Sequence, residues 1–73
     1  MKYTLINKKV STEVDIDEET YQVDIHLSIS SDNELIPSFT KVITVISNNA
    51  QTGYEVDEQR TNEINSYISE INK

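Results

Sequence analysis

The chain has 73 residues, no cysteine, one histidine, and thirteen acidic against six basic side chains, for a net charge of −7. That length holds one small domain with one core, and without disulfides or thiolate metal ligation its stability must come from packing or self-association. The charge argues against direct binding of DNA or RNA, which draws its affinity from cations brought to the phosphates.

Charge is unevenly placed. Lys2, Lys8 and Lys9 lie in the first ten positions, leaving three basic residues against all thirteen acids from Ser11 onward. Neither the N-terminal segment nor any other stretch has an apolar run of signal-peptide or membrane-spanning length. The expectation is a soluble, unprocessed, cytoplasmic protein without membrane contact, organised as a single domain over residues 1–73.

Val10, Thr12, Val14 and Ile16 alternate with Ser11, Glu13 and Asp15, the two-residue period of a half-buried strand. Tyr3, Leu5 and Ile6 extend it toward the N-terminus, with an irregularity over Asn7-Lys8-Lys9. Past Asp17-Glu18-Glu19-Thr20 the alternation resumes, placing Tyr21, Val23, Ile25, Leu27 and Ile29 on one face and Gln22, Asp24, His26, Ser28 and Ser30 on the other. A four-residue loop over 17–20 predicts a hairpin in which Ile16 faces Tyr21, Val14 faces Val23 and Val10 faces Leu27. The same register sets Glu13 opposite Asp24, a like-charge pair that costs up to about 1 kcal/mol.

Ser31-Asp32-Asn33-Glu34, followed by Pro37, reads as a turn, and Phe39 to Ser47 as a third strand. Alternation fails in that strand. Val42-Ile43-Thr44-Val45-Ile46 is apolar on both faces, as expected of a strand that is central, covered or paired with another chain. A meander makes the second strand central, whereas the third strand's composition favours the middle for itself.

After the loop from Asn48 to Gly53, Val56, Arg60, Ile64, Tyr67, Ile68 and Ile71 fall on one arc at about 100° per residue, predicting one amphipathic helix. Thr52 and Glu55 have capping-box spacing, and Glu55, Asp57 and Glu58 suit the positive end of the helix dipole. Arg60, inside the apolar arc, is expected to snorkel or to pair with a sheet carboxylate. The fold class is therefore α+β: a three-stranded antiparallel sheet in β-β-β-α order, with the helix packed on one face.

Candidate chemistry is sparse. Asp15, Asp17 and Glu19 recur at every second position as at the start of a calcium loop, but the sixth and twelfth positions are Thr20 and His26 instead of Gly and Glu. A lone histidine without cysteine leaves no zinc set within one chain and no Cys/His nucleophile, and His26 is expected on a polar face beside the acids. The tyrosines lack the interleaved basic residues of a nucleic-acid surface. No enzymatic activity, metal or other cofactor is expected.

Between Glu13 and Glu34 there are eight acids and no Lys or Arg. Asp32 and Glu34 suit a turn, and Glu18 and Glu19 a loop. The remaining acids suggest a small protein-binding module that docks Glu13, Asp15, Asp17 and Asp24 on the basic surface of a protein partner, in the manner of a phage-type inhibitor or nucleic-acid mimic. The alternative is a structural or assembly protein that forms a homodimer through strand 39–47, using Phe39, Val42, Ile43, Val45 and Ile46. An acidic face also serves solubility with no partner at all.

Overall fold

A computed structural model describes residues 2–73. Four strands and one helix follow one another as β1 (Tyr3–Val10), β2 (Val14–Asp15), β3 (Thr20–Ser31), β4 (Phe39–Asn48) and α1 (Gly53–Ile71). The class is α+β as the sequence predicts, with the expected first strand divided in two. β3 is central, flanked on one side by β1 and β2 and on the other by β4, all antiparallel. The most regular apolar alternation in the chain thus occupies the middle of the sheet.

The core lies between the sheet and α1. Val23, Ile25, Leu27 and Ile29 of β3 are the most deeply buried side chains, joined by Tyr21, Val45 and Ile64. Val56 is buried from the helix side as well, and Tyr67, Ile68 and Ile71 pack on the cluster. Thr52 is the N-cap: its hydroxyl accepts from the Glu55 amide at 3.2 Å and donates to the Glu55 carboxylate at 3.2 Å. At the other end Asn72 clips the helix to β1, with its carboxamide accepting from the Tyr3 amide and donating to the Tyr3 carbonyl.

The hairpin register differs from the predicted one. Val14 pairs with Gln22 and Asp15 with Tyr21, one residue out of step with the expected pairing. The loop is a residue shorter than assumed: the Ile16 amide donates to the Thr20 carbonyl, and Asp17 Oδ1 accepts from the amides of Glu19 and Thr20. An aspartate that caps its own turn favours this tight closure. A slip of one residue turns every side chain of a strand to the other face, so Val14 lies with Gln22 on the face away from the helix, 56% exposed.

The β1–β2 edge carries one residue more than β3 at each of two places. Ile6 is unpaired between Leu5↔Ile29 and Asn7↔Ser28, earlier than the irregularity expected at residues 7–9. Three residues, Ser11 to Glu13, then oppose two, Val23 and Asp24, between Val10↔Ile25 and Val14↔Gln22. Within this break the Ser11 amide donates to the Asp24 carbonyl and the Ser11 hydroxyl accepts from the Asp24 amide at 2.9 Å. The edge is therefore bulged and interrupted.

β4 has neither feature. Its pairing with β3 runs without a register shift from Thr20↔Asn48 to Ile29↔Phe39. Phe39, Ile43 and Val45 share the helix side with their β3 partners Ile29, Ile25 and Val23, while Val42 and Ile46 lie on the opposite, uncovered face. A strand apolar on both faces is here an edge strand, although the sequence pattern favours the interior for it.

Candidate functional site

The four acids expected to bind a partner do not form one patch. Asp24 is on the uncovered face, where its carboxylate accepts from the Thr44 hydroxyl at 2.7 Å. Asp15 pairs with Tyr21 and so belongs to the helix side, where it is exposed at the end of the sheet. Glu13 is in the non-strand break, and Asp17 is engaged in its own turn. The predicted Glu13–Asp24 opposition is replaced by Ser11–Asp24, which removes the like-charge conflict of the assumed register.

Asp17 has its pKa lowered from the ordinary value of 3.8, first by the Glu19 amide, then by the Thr20 amide and hydroxyl. Hydrogen bonds to the ionised form favour ionisation. The acids that do gather are Glu13, Asp15, Asp17, Glu18 and Glu19, around the β2–β3 turn at one end of the sheet. The single ion pair among the described residues is Lys73–Glu70, at the far end of the helix. Among the described residues no cation pairs with the acidic turn.

His26 is on the uncovered face between Lys9 and Val42, in the same row of β3 as Asp24. Among the described residues no three of His, Asp and Glu assemble as a metal-holding group. Arg60 pairs with no sheet carboxylate among the described residues. Its Nε is buried without a hydrogen-bond partner, next to a groove that Lys8, Val10, Asp57 and Thr61 also line. Of the tyrosines, Tyr21 is buried, Tyr3 stands edge-on to Phe39 with ring centroids 5.9 Å apart, and Tyr67 lies under the Lys41 ammonium at 5.5 Å. These contacts are packing contacts.

The residues expected to drive self-association divide by face. Val45 is buried in the chain's own core, Ile43 is partly buried against it, and Phe39 meets Tyr3. Val42 and Ile46 are 44% and 55% exposed, and with Val14 and Ile16 they supply the apolar side chains of the uncovered face. Between them runs the polar row of β3: Gln22, Asp24, His26 and Ser28.

Backbone polarity adds an element that side-chain patterns cannot show. In an antiparallel ladder, alternate residues turn their N–H and C=O toward the same neighbour. The Asn49 amide donates to the Glu19 carbonyl, while Asp24 exchanges bonds with Ser11 on the β1 side. Odd-numbered residues of β4 therefore face β3, and even-numbered ones face outward. Two outward residues already have partners: Asn48 bonds Gln51 in both directions, and the Ile46 carbonyl accepts from Gln59 Nε2 at 2.8 Å. Thr40, Val42 and Thr44 have none among the described residues.

Gln59 was not singled out by the sequence pattern. Its Oε1 accepts from the hydroxyl of Ser47, which is 2% exposed. The available signal is Ser47 itself, a polar residue ending the helix-facing row of β4, which requires a polar helix partner once buried. Comparison with known protein families, with curated proteins and with solved structures found no match to this chain.

Proposed function

We propose that this chain is a non-catalytic interaction domain that works by strand addition at β4. The observation that carries the reading is the asymmetry of the two sheet edges. Edges are usually blunted by bulges, breaks, charge or proline. The β1–β2 edge is bulged at Ile6, broken at Ser11–Glu13, and carries Lys8 and Lys9. β4 is ten residues long and unbulged, contains no proline, and exposes Val42 and Ile46. An extended partner segment paired there satisfies the outward amides and carbonyls of Thr40, Val42 and Thr44 and covers the adjoining apolar side chains.

A second reading has its own support. The acids around the β2–β3 turn are exposed and have no cationic partner among the described residues, so they suit docking on the basic surface of a protein, as an inhibitor or nucleic-acid mimic does. Association of that kind is fast and weakens with salt.

Affinity capture from native lysate, nuclease-treated and washed at low and high salt, separates the two when run with three baits. Val42→Pro removes an N–H that points away from β3, so the chain's own ladder keeps its bonds. Strand addition predicts that Val42→Pro loses the partner while joint reversal of Glu13, Asp15 and Glu18 to Lys retains it. The opposite result assigns the work to the acidic turn.

A further inference from the structure

Resting on the strand-addition reading, we propose that the segment occupying the β4 edge is a second copy of this chain, paired antiparallel about a two-fold axis at Val42. Among the described residues, the outward residues with both amide and carbonyl free are Thr40, Val42 and Thr44, a set symmetric about Val42, while Ile46 has its carbonyl held by Gln59. Antiparallel pairing of two copies at that centre sets Val42 against its own image and Thr40 against the other copy's Thr44. The amide and carbonyl of each of these three residues then meet a carbonyl and an amide of the other copy. Neighbouring registers do not achieve this. An axis at Lys41 places two ammonium groups directly across from one another, and an axis at Ile43 makes the Ile46 carbonyl accept a second hydrogen bond beside the one from Gln59.

The side chains agree with the Val42 register. On the uncovered face it brings Val42 against Val42 and Thr40 against Thr44, pair types that stabilise antiparallel ladders. Packing two uncovered faces against each other is the competing way to bury Val42 and Ile46. That arrangement traps Asp24, His26 and Gln22 of the central strand in the interface, and buried charge without compensation is costly.

Net charge does not oppose edge pairing. The acidic turn sits beside Asn49, roughly 24 Å along the strand from Val42 at ~3.4 Å per residue. Screening at physiological salt acts over about 8 Å. Closer to the axis stand Lys41, His26 and Asp24, the last already hydrogen-bonded to Thr44.

Size sets the expected strength. β4 is ten residues long, roughly 34 Å at ~3.4 Å per residue, so edge pairing centred on Val42 buries less than the ~800 Å² per partner of a standard stable complex. The dimer is accordingly reversible, and its product is one continuous sheet twice the width of the monomer's four strands. It also relieves an unusual monomer. The radius of gyration is 14.1 Å, against about 11 Å for a compact chain of this length.

Sedimentation or light scattering of the full chain at concentrations up to about 1 mM, enough to half-populate a complex with Kd ~1 mM, tests the proposal. The expected weight-average mass rises with concentration above the 8.4 kDa chain mass, toward twice that value. Val42→Lys and Val42→Glu should each stay at the single-chain mass, because like charges meet at the axis, and an equimolar mixture of the two should restore the rise. A wild type that stays monomeric overturns the second-copy assignment. If Val42→Pro also loses a captured lysate partner in that case, the β4 reading survives with a different occupant. A dimer unchanged in both charged variants, or a mixture that stays monomeric when each variant alone does, overturns the axis at Val42. Should a variant lose its circular-dichroism signature, amide exchange of the wild type decides: dimerisation must slow exchange at Thr40, Val42 and Thr44 together.

Discussion

The Asp17 carboxylate accepts hydrogen bonds from the amides of Glu19 and Thr20, both at 2.8 Å, and these hold its pKa below 3.8. One residue thereby closes the turn at Thr20 and sets the register of β2. A folded-state pKa depressed below the unfolded value contributes stability that is complete above the unfolded pKa and lost as the pH falls through the folded one. Comparing urea midpoints at about pH 6 and about pH 2.5 should therefore show Asp17→Ala below wild type at the higher pH, with the gap narrowing at the lower. A gap independent of pH would assign the effect to shape without charge.

Between elements, Gln59 ties α1 to β4, with Nε2 on the Ile46 carbonyl and Oε1 on the Ser47 hydroxyl, each at 2.8 Å. Ser47 is buried, so Gln59→Ala strands its hydroxyl and should cost about 1–3 kcal/mol. The denaturant midpoint should fall while the slope stays constant, since the surface exposed on unfolding is nearly unchanged. Gln59→Glu keeps an acceptor for Ser47 and loses the donor to Ile46, so it should fall between the two. If Gln59→Ala is as stable as wild type, the bridge contributes nothing net.

Across the whole molecule, the net charge is −7 and the described residues form a single ion pair, in a body 46 Å long. Self-repulsion of this kind destabilises a folded state and is screened by salt. Raising NaCl from about 20 mM to about 300 mM shortens the screening length from roughly 20 Å to roughly 6 Å. If screening recovers about 0.5 kcal/mol, the melting temperature rises by roughly 2–4 °C for a chain of this size. Thermal melts followed by circular dichroism check the sign, and a fall in melting temperature would show that attractive pairs outweigh the repulsion. No helix is long and apolar enough to cross a membrane.

Periodicity made the class of the fold legible: alternation from Tyr21 to Ile29 specifies β3 and its buried face, the arc from Val56 to Ile71 specifies α1, and Thr52 with Glu55 marks its start. These are properties of one segment, set by backbone geometry and the burial of apolar side chains. The placement of Glu13 and Asp15 was not legible, because Val10, Thr12, Val14 and Ile16 satisfy alternation equally well in either register. The choice rests on one residue of loop length and the hydrogen bonds of Asp17 and Ser11. Nor does the apolar run from Val42 to Ile46 reveal that β4 is an edge, or that Gln59 closes part of it. Register, edge and unpaired backbone belong to pairs of strands, so they become definite only when the neighbours are in place.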